Sequence, residues 1–186
     1  MPVRTLRWTA VAGLAWAMGA CSSAPLELDL RPYLAADVSG RFDVPVPEKI
    51  GFDLKLPSEG GAPVDFSREL LPTTFSVAGL QYDLSGTMTR PADLSGQLSV
   101  QVYLAPLDSG ALWESSIGAP IELNTDRSAL RLSGRMTLSA AQLGAVAKKQ
   151  VRLGAWVRGE LKNPKRGTVK IEYRIERLTL SIGFLP

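Results

Sequence analysis

Few side chains in this sequence could do chemistry, and the types that are present exclude most forms of catalysis. The 186 residues include no histidine and a single cysteine, Cys21. Histidine is the commonest general base near neutral pH and a common transition-metal ligand, so a Ser-His-Asp arrangement cannot form. One thiol cannot make an internal disulfide or, alone, a zinc site. Carboxylate chemistry, a Ser-Lys pair, or Ca²⁺ or Mg²⁺ bound through oxygen atoms stay open.

The acidic residues do not fall into the pattern of a catalytic or metal site. They are spread singly along the chain, with no Asp-x-Asp-x-Asp-Gly loop and no close pair at helical spacing. Asp83 and Asp93 each precede a Ser-Gly motif, where hydrogen bonding to the local backbone is the simplest role and Ca²⁺ binding is the alternative. The serines beside glycine lack the Gly-x-Ser-x-Gly pattern of a nucleophile elbow. We therefore predict a protein that is not an enzyme, with no catalytic residue, no metal and no cofactor.

The first 21 residues have the layout of an export signal. Arg4 and Arg7 give a positive start, the run from Trp8 to Met18 has no charge, and small residues lead to Cys21. Crossing the hydrocarbon core of a bilayer takes about 20 apolar residues, so this run is short for a membrane-spanning helix.

The segment Met18-Gly19-Ala20-Cys21 resembles the lipobox of bacterial lipoproteins, with Met18 where that family usually has Leu. The resemblance implies cleavage between Ala20 and Cys21 and attachment of acyl groups such as palmitate to Cys21. Two or more acyl chains hold a protein stably on a bilayer. An ordinary secretory signal with a chance cysteine, or a short anchor helix, is the alternative interpretation.

This resemblance also implies a domain organisation and a location. Residues 1–20 are then the signal peptide, 21–25 the lipidated cysteine with a short tether, and 26–186 a single domain. Ser22 stands where many Gram-negative lipoproteins carry an Asp that retains them at the inner membrane. We expect a lipid anchor in the cell envelope, on the outer membrane if the cell has one and otherwise on the outer face of the plasma membrane.

Apolar and polar residues alternate with a period of two through most of the chain after residue 25. Strands with one dry face and one wet face are typical of antiparallel sheets. Turn-forming residues separate predicted strands at about 74–88, 94–105, 150–162 and 168–184. We predict an all-β fold, an antiparallel β-sandwich or partly open barrel of about eight or nine strands.

One segment has helical periodicity instead. Ser139 and Gln142 are spaced as a capping box, and an apolar stripe follows them. This predicts one short connecting helix near 140–149. The segments 57–63 and 106–119 have the composition of loops.

Two long strands change the parity of their apolar residues partway. The changes fall at Ala78-Gly79 and at Glu176-Arg177. A shift of one residue turns every side chain to the other face, so we expect a bulge or sharp bend at each place. Such bends would let one strand serve two sheets.

A short motif, apolar-Ser-Gly-x-apolar, occurs four times and places glycine on the apolar face of predicted strands. Its glycines are Gly40, Gly86, Gly96 and Gly134. Glycine inside a strand usually marks curvature or a close approach by another backbone or a ligand. Strand curvature is the simple interpretation, and an apolar cavity lined by these glycines is the functional one.

The two parts of the chain after the leader carry opposite charge, because residues 141–186 hold ten basic side chains against three acidic ones. Candidate contacts to anionic lipid headgroups or to a partner are Lys148, Lys149, Lys162, Lys165 and Arg166. Anionic headgroups attract nearby basic residues by about 1 kcal/mol each. Ion pairs with acidic neighbours within the fold are the alternative. Nucleic acid is not an expected partner, since aromatic and basic residues do not interleave.

These features together predict a lipid-anchored protein of the cell envelope with a non-enzymatic, structural or adaptor role. Its partners would be the membrane, through its acyl groups, and an envelope protein. The alternative function is binding or transfer of a lipid or other hydrophobic ligand in an apolar groove between the sheets.

The lipoprotein interpretation makes Cys21 indispensable for membrane attachment. We expect Cys21→Ser to abolish acylation and release the protein from the membrane fraction, because serine offers no thiol to the lipid. Metabolic labelling with an alkyne fatty acid and cell fractionation measure both effects. Labelling and retention in the mutant at the level of the native chain would contradict the interpretation.

Overall fold

The computed structural model describes residues 25–71, 75–89, 91, 93–163 and 165–183. Within these ranges the chain forms ten β-strands and two short α-helices. The strands are β1 (Leu26–Asp29), β2 (Ser39–Val46), β3 (Lys49–Leu56), β4 (Ala62–Asp65), β5 (Val77–Thr89), β6 (Ser95–Pro106), β7 (Ser116–Leu123), β8 (Ala129–Thr137), β9 (Gln150–Lys162) and β10 (Gly167–Gly183). The helices are α1 (Arg31–Leu34) and α2 (Ala140–Ala147), and 3₁₀ turns cover Ala35–Val38 and Leu112–Glu114. Among these helices none is long and apolar enough to cross a membrane.

The strands form two five-stranded antiparallel sheets that face each other as a sandwich. In the first sheet, β10 lies between β5 and the edge pair β1 and β2, and β8 follows β5. In the second sheet, β9 lies between β6 and the edge pair β3 and β4, and β7 follows β6. The alternation of the sequence produces this arrangement, because each strand turns one apolar face inward.

Each long central strand is flanked on one side by two short strands placed end to end. On β10, strand β2 pairs with residues 167–174 and β1 with residues 179–182. On β9, strand β3 pairs with residues 155–162 and β4 with residues 150–153. One edge of each sheet is therefore interrupted near the middle of the molecule.

The interior consists of two main clusters of buried side chains, one toward each end of the sandwich. The first includes Phe66, Val146 and Ile182 and lies where α2 covers the sheets; we call this the α2 end. The second includes Val46 and Leu161 and lies toward the β9–β10 turn; we call this the turn end. The capping box predicted for α2 is present, with Ser139 and Gln142 bonded reciprocally.

The sandwich class predicted from the sequence is confirmed. The strand count is ten rather than eight or nine, and the predicted loop at 57–63 runs into the short strand β4. A register shift lies between Ile175 and Arg177, as the phase change predicted. The bend expected at Ala78-Gly79 is wrong, because β5 pairs with β10 continuously there.

The expectation that a bent strand serves both sheets is also wrong for the part of the chain described. Every strand pairs within a single sheet, and the bulge in β10 serves to restore its apolar face to the interior after Ile175. Tyr173 and Ile175 face inward before the bulge, and Leu178 and Leu180 face inward after it.

Glycine is required at position 159, where β9 passes very close to β6. Gly159 has a φ of +149°, and a Cβ there would lie 2.0 Å from the carbonyl oxygen of Gln97. We expect Gly159→Ala to lower the free energy of unfolding by about 1 to 3 kcal/mol, since that backbone region is nearly restricted to glycine. Chemical denaturation measures the change.

The matched control is Gly51→Ala in the neighbouring strand β3. A Cβ at Gly51 meets no atom within 4 Å. Its effect on unfolding should stay within about 0.5 kcal/mol. Equal losses for both variants would show that the close approach of β6 and β9 is not what requires glycine.

Candidate functional site

An apolar cavity of about 200 Å³ lies between the two sheets. Its walls are almost entirely aliphatic and aromatic, with contributions from both sheets. From the first sheet come Leu84 and Leu132, and from the second come Val102 and Ala155. These inward-facing side chains are only partly buried, because they border empty space where a packed core would cover them.

The cavity separates the two core clusters. Leu80 and Leu153, from the cluster at the α2 end, line one part of it. Met88 and Val157, from the cluster at the turn end, line another part. Protein interiors are normally packed as densely as organic crystals, so a break of this size in the middle of a core is a distinctive feature.

The cavity also reaches the place where the edge strands are interrupted. Gly154, Ile175 and Leu178 are among the residues that line it, and they lie where the short flanking strands of β9 and β10 change over. Asp37 and Pro57 line it from the chain segments that cross these interruptions. A ligand could therefore enter at this side of the sandwich without opening a continuous edge strand.

Two tyrosines of the first sheet lie against glycines on adjacent strands. Tyr82 is directly opposite Gly134, and a Cβ at Gly134 would lie 2.6 Å from Tyr82 Oη. Tyr173 is directly opposite Gly40, and a Cβ at Gly40 would lie 2.6 Å from Tyr173 Cε1. The glycines thus let both rings lie along the sheet. A ring that pointed straight inward would have filled the cavity instead.

This geometry corrects the prediction that the four motif glycines line a cavity. Gly86 is a lining residue, whereas Gly40, Gly96 and Gly134 are not among the residues that line it. Tyrosine rings cover Gly40 and Gly134. Gly96 has a φ of +139°, and a Cβ there would lie 2.0 Å from the carbonyl oxygen of Glu160. Gly96 therefore serves the close approach of β6 to β9.

Polar groups at the cavity are few. Tyr82 is 7% exposed, and its hydroxyl makes no hydrogen bond within the described part of the chain. Burial raises the pKa of Tyr82, and burial together with the negative charge of Asp37 raises the pKa of Tyr173. Ser85 and Thr125 are occupied, since Ser85 donates to Glu176 and Thr125 to the carbonyl oxygen of Gly96.

The five basic residues predicted to contact headgroups do not form one surface. Lys148 and Lys149 precede β9, at the α2 end, while Lys162, Lys165 and Arg166 lie at the turn end. The 13 residues of β9 separate the two groups, a length of roughly 40 Å at the usual rise per residue. A single flat membrane surface beneath one end could meet only one of the two groups.

Several of these cations are held by the fold. Lys165 lies 2.7 Å from Asp93, whose hydrogen bond raises the pKa of the lysine. Lys162 lies 3.3 Å from Glu160, and the Nζ of Lys149 donates to the carbonyl oxygen of Glu69 at 2.7 Å. Exposed ion pairs of this kind contribute little to stability.

The large hydrophobic residues that are most exposed gather at the α2 end. Leu70 is 96% exposed, and it follows Glu69, the residue bonded to Lys149. Leu26 and Val77 are 39% and 40% exposed. Leu26 pairs with Ile182 and Val77 with Gly183, at the C-terminal end of β10. Apolar side chains therefore accompany Lys148 and Lys149 at this end.

A separate aromatic cluster covers the outer face of the second sheet. The ring centroids of Trp113 and Trp156 are 6.0 Å apart, and Tyr103 packs beneath both rings. The Nζ of Lys55 lies 5.4 Å from the Trp113 ring and 4.9 Å from the Trp156 ring. Lys55 also pairs with Glu59 at 2.8 Å. The sequence gives no sign that Lys55, on a neighbouring strand, would lie between the two tryptophans.

Two of the predicted functional elements lie outside the described residues, namely the cleavage site at Ala20 and the lipidated Cys21. Within the described ranges no group of three or more Cys, Asp or Glu side chains could hold a metal ion.

Comparison with known proteins gives no relative on which function could rest. No protein-family profile and no curated protein matches the chain. A structure of infectious bursal disease virus Gt strain is 14% identical over 100% of this chain and 47% of that one, with a TM-score of 0.27. The VP2 subviral particle of the same virus is 10% identical over 81% of this chain and 42% of that one, with a TM-score of 0.22. The chain spans less than half the length of these proteins, and TM-scores this low carry no argument about its fold or function.

Proposed function

We propose that this protein is a lipid-anchored protein of the cell envelope that holds an apolar chain between its two sheets. Of the two functions that the sequence favours, a structural adaptor and a hydrophobic-ligand carrier, the cavity supports the second. The observation that carries the proposal is an aliphatic space of about 200 Å³ at the centre of the sandwich.

The size of the cavity suits a slender ligand. Apolar cavities of about 150 Å³ stay dry and accept benzene, whereas pockets for drug-sized molecules usually measure about 300 to 1,000 Å³. A space between these limits, lined by side chains such as Leu84 and Leu132, fits part of a single hydrocarbon chain. Burial of such a chain is favourable by about 0.8 kcal/mol for each CH₂ group.

Anchoring through Cys21 would orient the sandwich with its α2 end toward the bilayer. Four residues, 22–25, separate Cys21 from Leu26, and an extended tether of that length reaches roughly 15 Å. Leu26, where the first strand begins, lies at the α2 end beside Ile182. The same end presents Leu70 together with Lys148 and Lys149, a combination that suits the boundary between headgroups and acyl chains.

An adaptor role is the second candidate. It is favoured by the aromatic cluster on the outer face of the second sheet, where Trp113 and Trp156 are partly exposed. Tryptophan is enriched at the centres of protein interfaces. The cluster is on the face of β9 opposite to the cavity, so both roles could coexist in one molecule.

Filling the cavity should abolish ligand binding. Ala155 lines the cavity between Leu56 and Val102 on the adjacent strands. We expect native mass spectrometry of residues 21–186 carrying Cys21→Ala to detect a bound apolar ligand, and the further substitution Ala155→Leu to remove it. The free energy of unfolding should change by less than about 1 kcal/mol, because the larger side chain enters existing space.

Ala129→Leu is the matched control, since Ala129 is exposed on β8 and is not a lining residue of the cavity. It should retain the ligand. A native protein without ligand, or an Ala155→Leu variant that binds as well as the control, would contradict the carrier function.

The membrane orientation predicts different effects for two lysines at opposite ends. We expect Lys148→Glu to weaken binding of the full chain with Cys21→Ala to anionic vesicles by about fivefold or more, given about 1 kcal/mol for each basic residue at a surface. Lys165→Glu, at the turn end, should leave binding unchanged. Vesicle co-sedimentation measures both, and the reverse order of effects would show that the turn end faces the bilayer.

A further inference from the structure

The cavity between the sheets is bordered by a single formal charge. Among its described lining residues Asp37 is the only one with a carboxyl group, and no lysine or arginine is among them. Asp37 is only partly buried, and carboxylates in contact with water are charged near neutral pH. The walls can bind a hydrocarbon chain whatever its headgroup, so Asp37 is the lining group that distinguishes headgroups by their charge.

Asp37 lies where the cavity reaches the interrupted edge of the first sheet. It belongs to the 3₁₀ turn Ala35–Val38, which together with α1 connects β1 to β2. Leu34, in α1, is buried and also lines the cavity. Burial raises the pKa of Tyr173, another lining residue, and the negative charge of Asp37 adds to that shift. A ligand that enters at this side would therefore leave its headgroup close to Asp37.

Contacts that do not involve Asp37 hold this connecting segment in place. Leu30 is buried at its start. Arg31 donates through Nη2 to Oδ2 of Asp29 at 2.7 Å and through Nη1 to the carbonyl oxygen of Glu176 at 2.5 Å. Glu176 lies in the bulge of β10, so the bulge supplies the oxygen atom that fixes Arg31 and with it the start of α1.

The Asp37 carboxylate has no cationic partner in the described part of the chain. Arg31 and Arg41 are the basic residues nearest to it in sequence, and they pair with other carboxylates, Asp29 at 2.7 Å and Asp43 at 3.6 Å. An anion at the border of a low-polarity space attracts a cation more strongly than the same anion in open water. A cation that arrives with the ligand could therefore pair with Asp37 without displacing a partner within the fold.

We infer that the ligand is an amphiphile with one hydrocarbon chain and an ammonium headgroup, with the chain between the sheets and the ammonium paired with Asp37. This inference rests on the proposed function, because it names the ligand class of the same cavity. A fatty acid would bring a second negative charge beside Asp37, and a neutral alcohol would make no ion pair. Asp37 is then a specificity-determining residue.

Two sources could supply this chemistry. One is a free long-chain amine, and the other is the ethanolamine headgroup of a single-chain phospholipid, in which a phosphate group lies between the chain and the ammonium. Lysophosphatidylethanolamine and an alkyl amine of the same chain length distinguish them. Stronger Asp37-dependent labelling by the first would identify the phospholipid, and stronger labelling by the second would identify the free amine.

Photoaffinity labelling of the full chain with Cys21→Ala, held in a non-ionic amphipol, tests the inference. Diazirine probes with the same hydrocarbon chain are compared below saturation and at low ionic strength: a primary amine, an alcohol and a fatty acid. Mass spectrometry maps the label, and only label on cavity-lining residues of β5 and β9 is counted. We expect the amine to exceed the alcohol by about fivefold or more, the effect of a charge-assisted hydrogen bond at a partly exposed site, and the fatty acid to label least.

Substitutions at Asp37 then separate recognition of charge from packing. Asp37→Asn should reduce labelling by the amine to the level of the alcohol, and Asp37→Lys should reverse the order so that the fatty acid labels most. Labelling by the alcohol should change little in either variant, because its chain meets the same walls. Glu27→Gln is the matched control, since Glu27 is an exposed carboxylate of β1, at the same sheet edge, and is not a lining residue of the cavity. It should keep the order of the native chain.

Thermal unfolding without ligand accompanies each variant and should give melting temperatures close to that of the native chain, because the contacts that hold the segment do not use the Asp37 carboxylate. Labelling by the amine at the level of the alcohol in the native chain, or an order that persists in Asp37→Asn and Asp37→Lys, would overturn the inference and leave the carrier function intact. Absence of cavity labelling by any probe would overturn the carrier function itself.

Discussion

The interior of this sandwich depends on the contact between tyrosine and glycine on adjacent strands of the first sheet. Tyr82 lies against Gly134, and Tyr173 lies between Gly40 and Gly86. Without a side chain on the opposite residue, each ring can lie along the sheet and does not cross to the other layer. The core clusters at the two ends then remain separate, and the space between them becomes the cavity.

Much of the fold could be predicted from the sequence, because period-two alternation is a local property. Strands β5, β6, β9 and β10 begin and end close to the predicted limits, and helix α2 begins with the predicted capping box. The short strand β4 was missed because its four residues include Pro63 and are too few to show a period. The bulge in β7, where residues 118–120 lie opposite Gln101 of β6, was also missed. The side-chain amide of Gln101 donates to the carbonyl oxygens of Ile117 and Gly118, which lie on a strand that local sequence does not identify as a neighbour.

The candidate site could be predicted only in part. The Ser-Gly motif indicated an unusual interior, but whether a glycine borders empty space or receives a ring depends on the residue opposite it. That residue is set by which strands pair and in what register. Gly40 and Gly134 look alike in sequence to Gly96, yet the first two face tyrosine rings and the third faces a backbone carbonyl. Likewise, a count of basic residues could not reveal that β9 separates Lys149 from Lys162.

The interrupted edges of the two sheets affect how neighbouring molecules would behave when crowded. A continuous exposed strand offers a row of unpaired backbone groups to which another chain can add. Here β1 and β2, like β3 and β4, divide that row into short, offset pieces. On this side of each sheet another chain can therefore add only along one short piece at a time, and an extended intermolecular sheet cannot grow from it. The opposite edges, β7 and β8, lack this interruption.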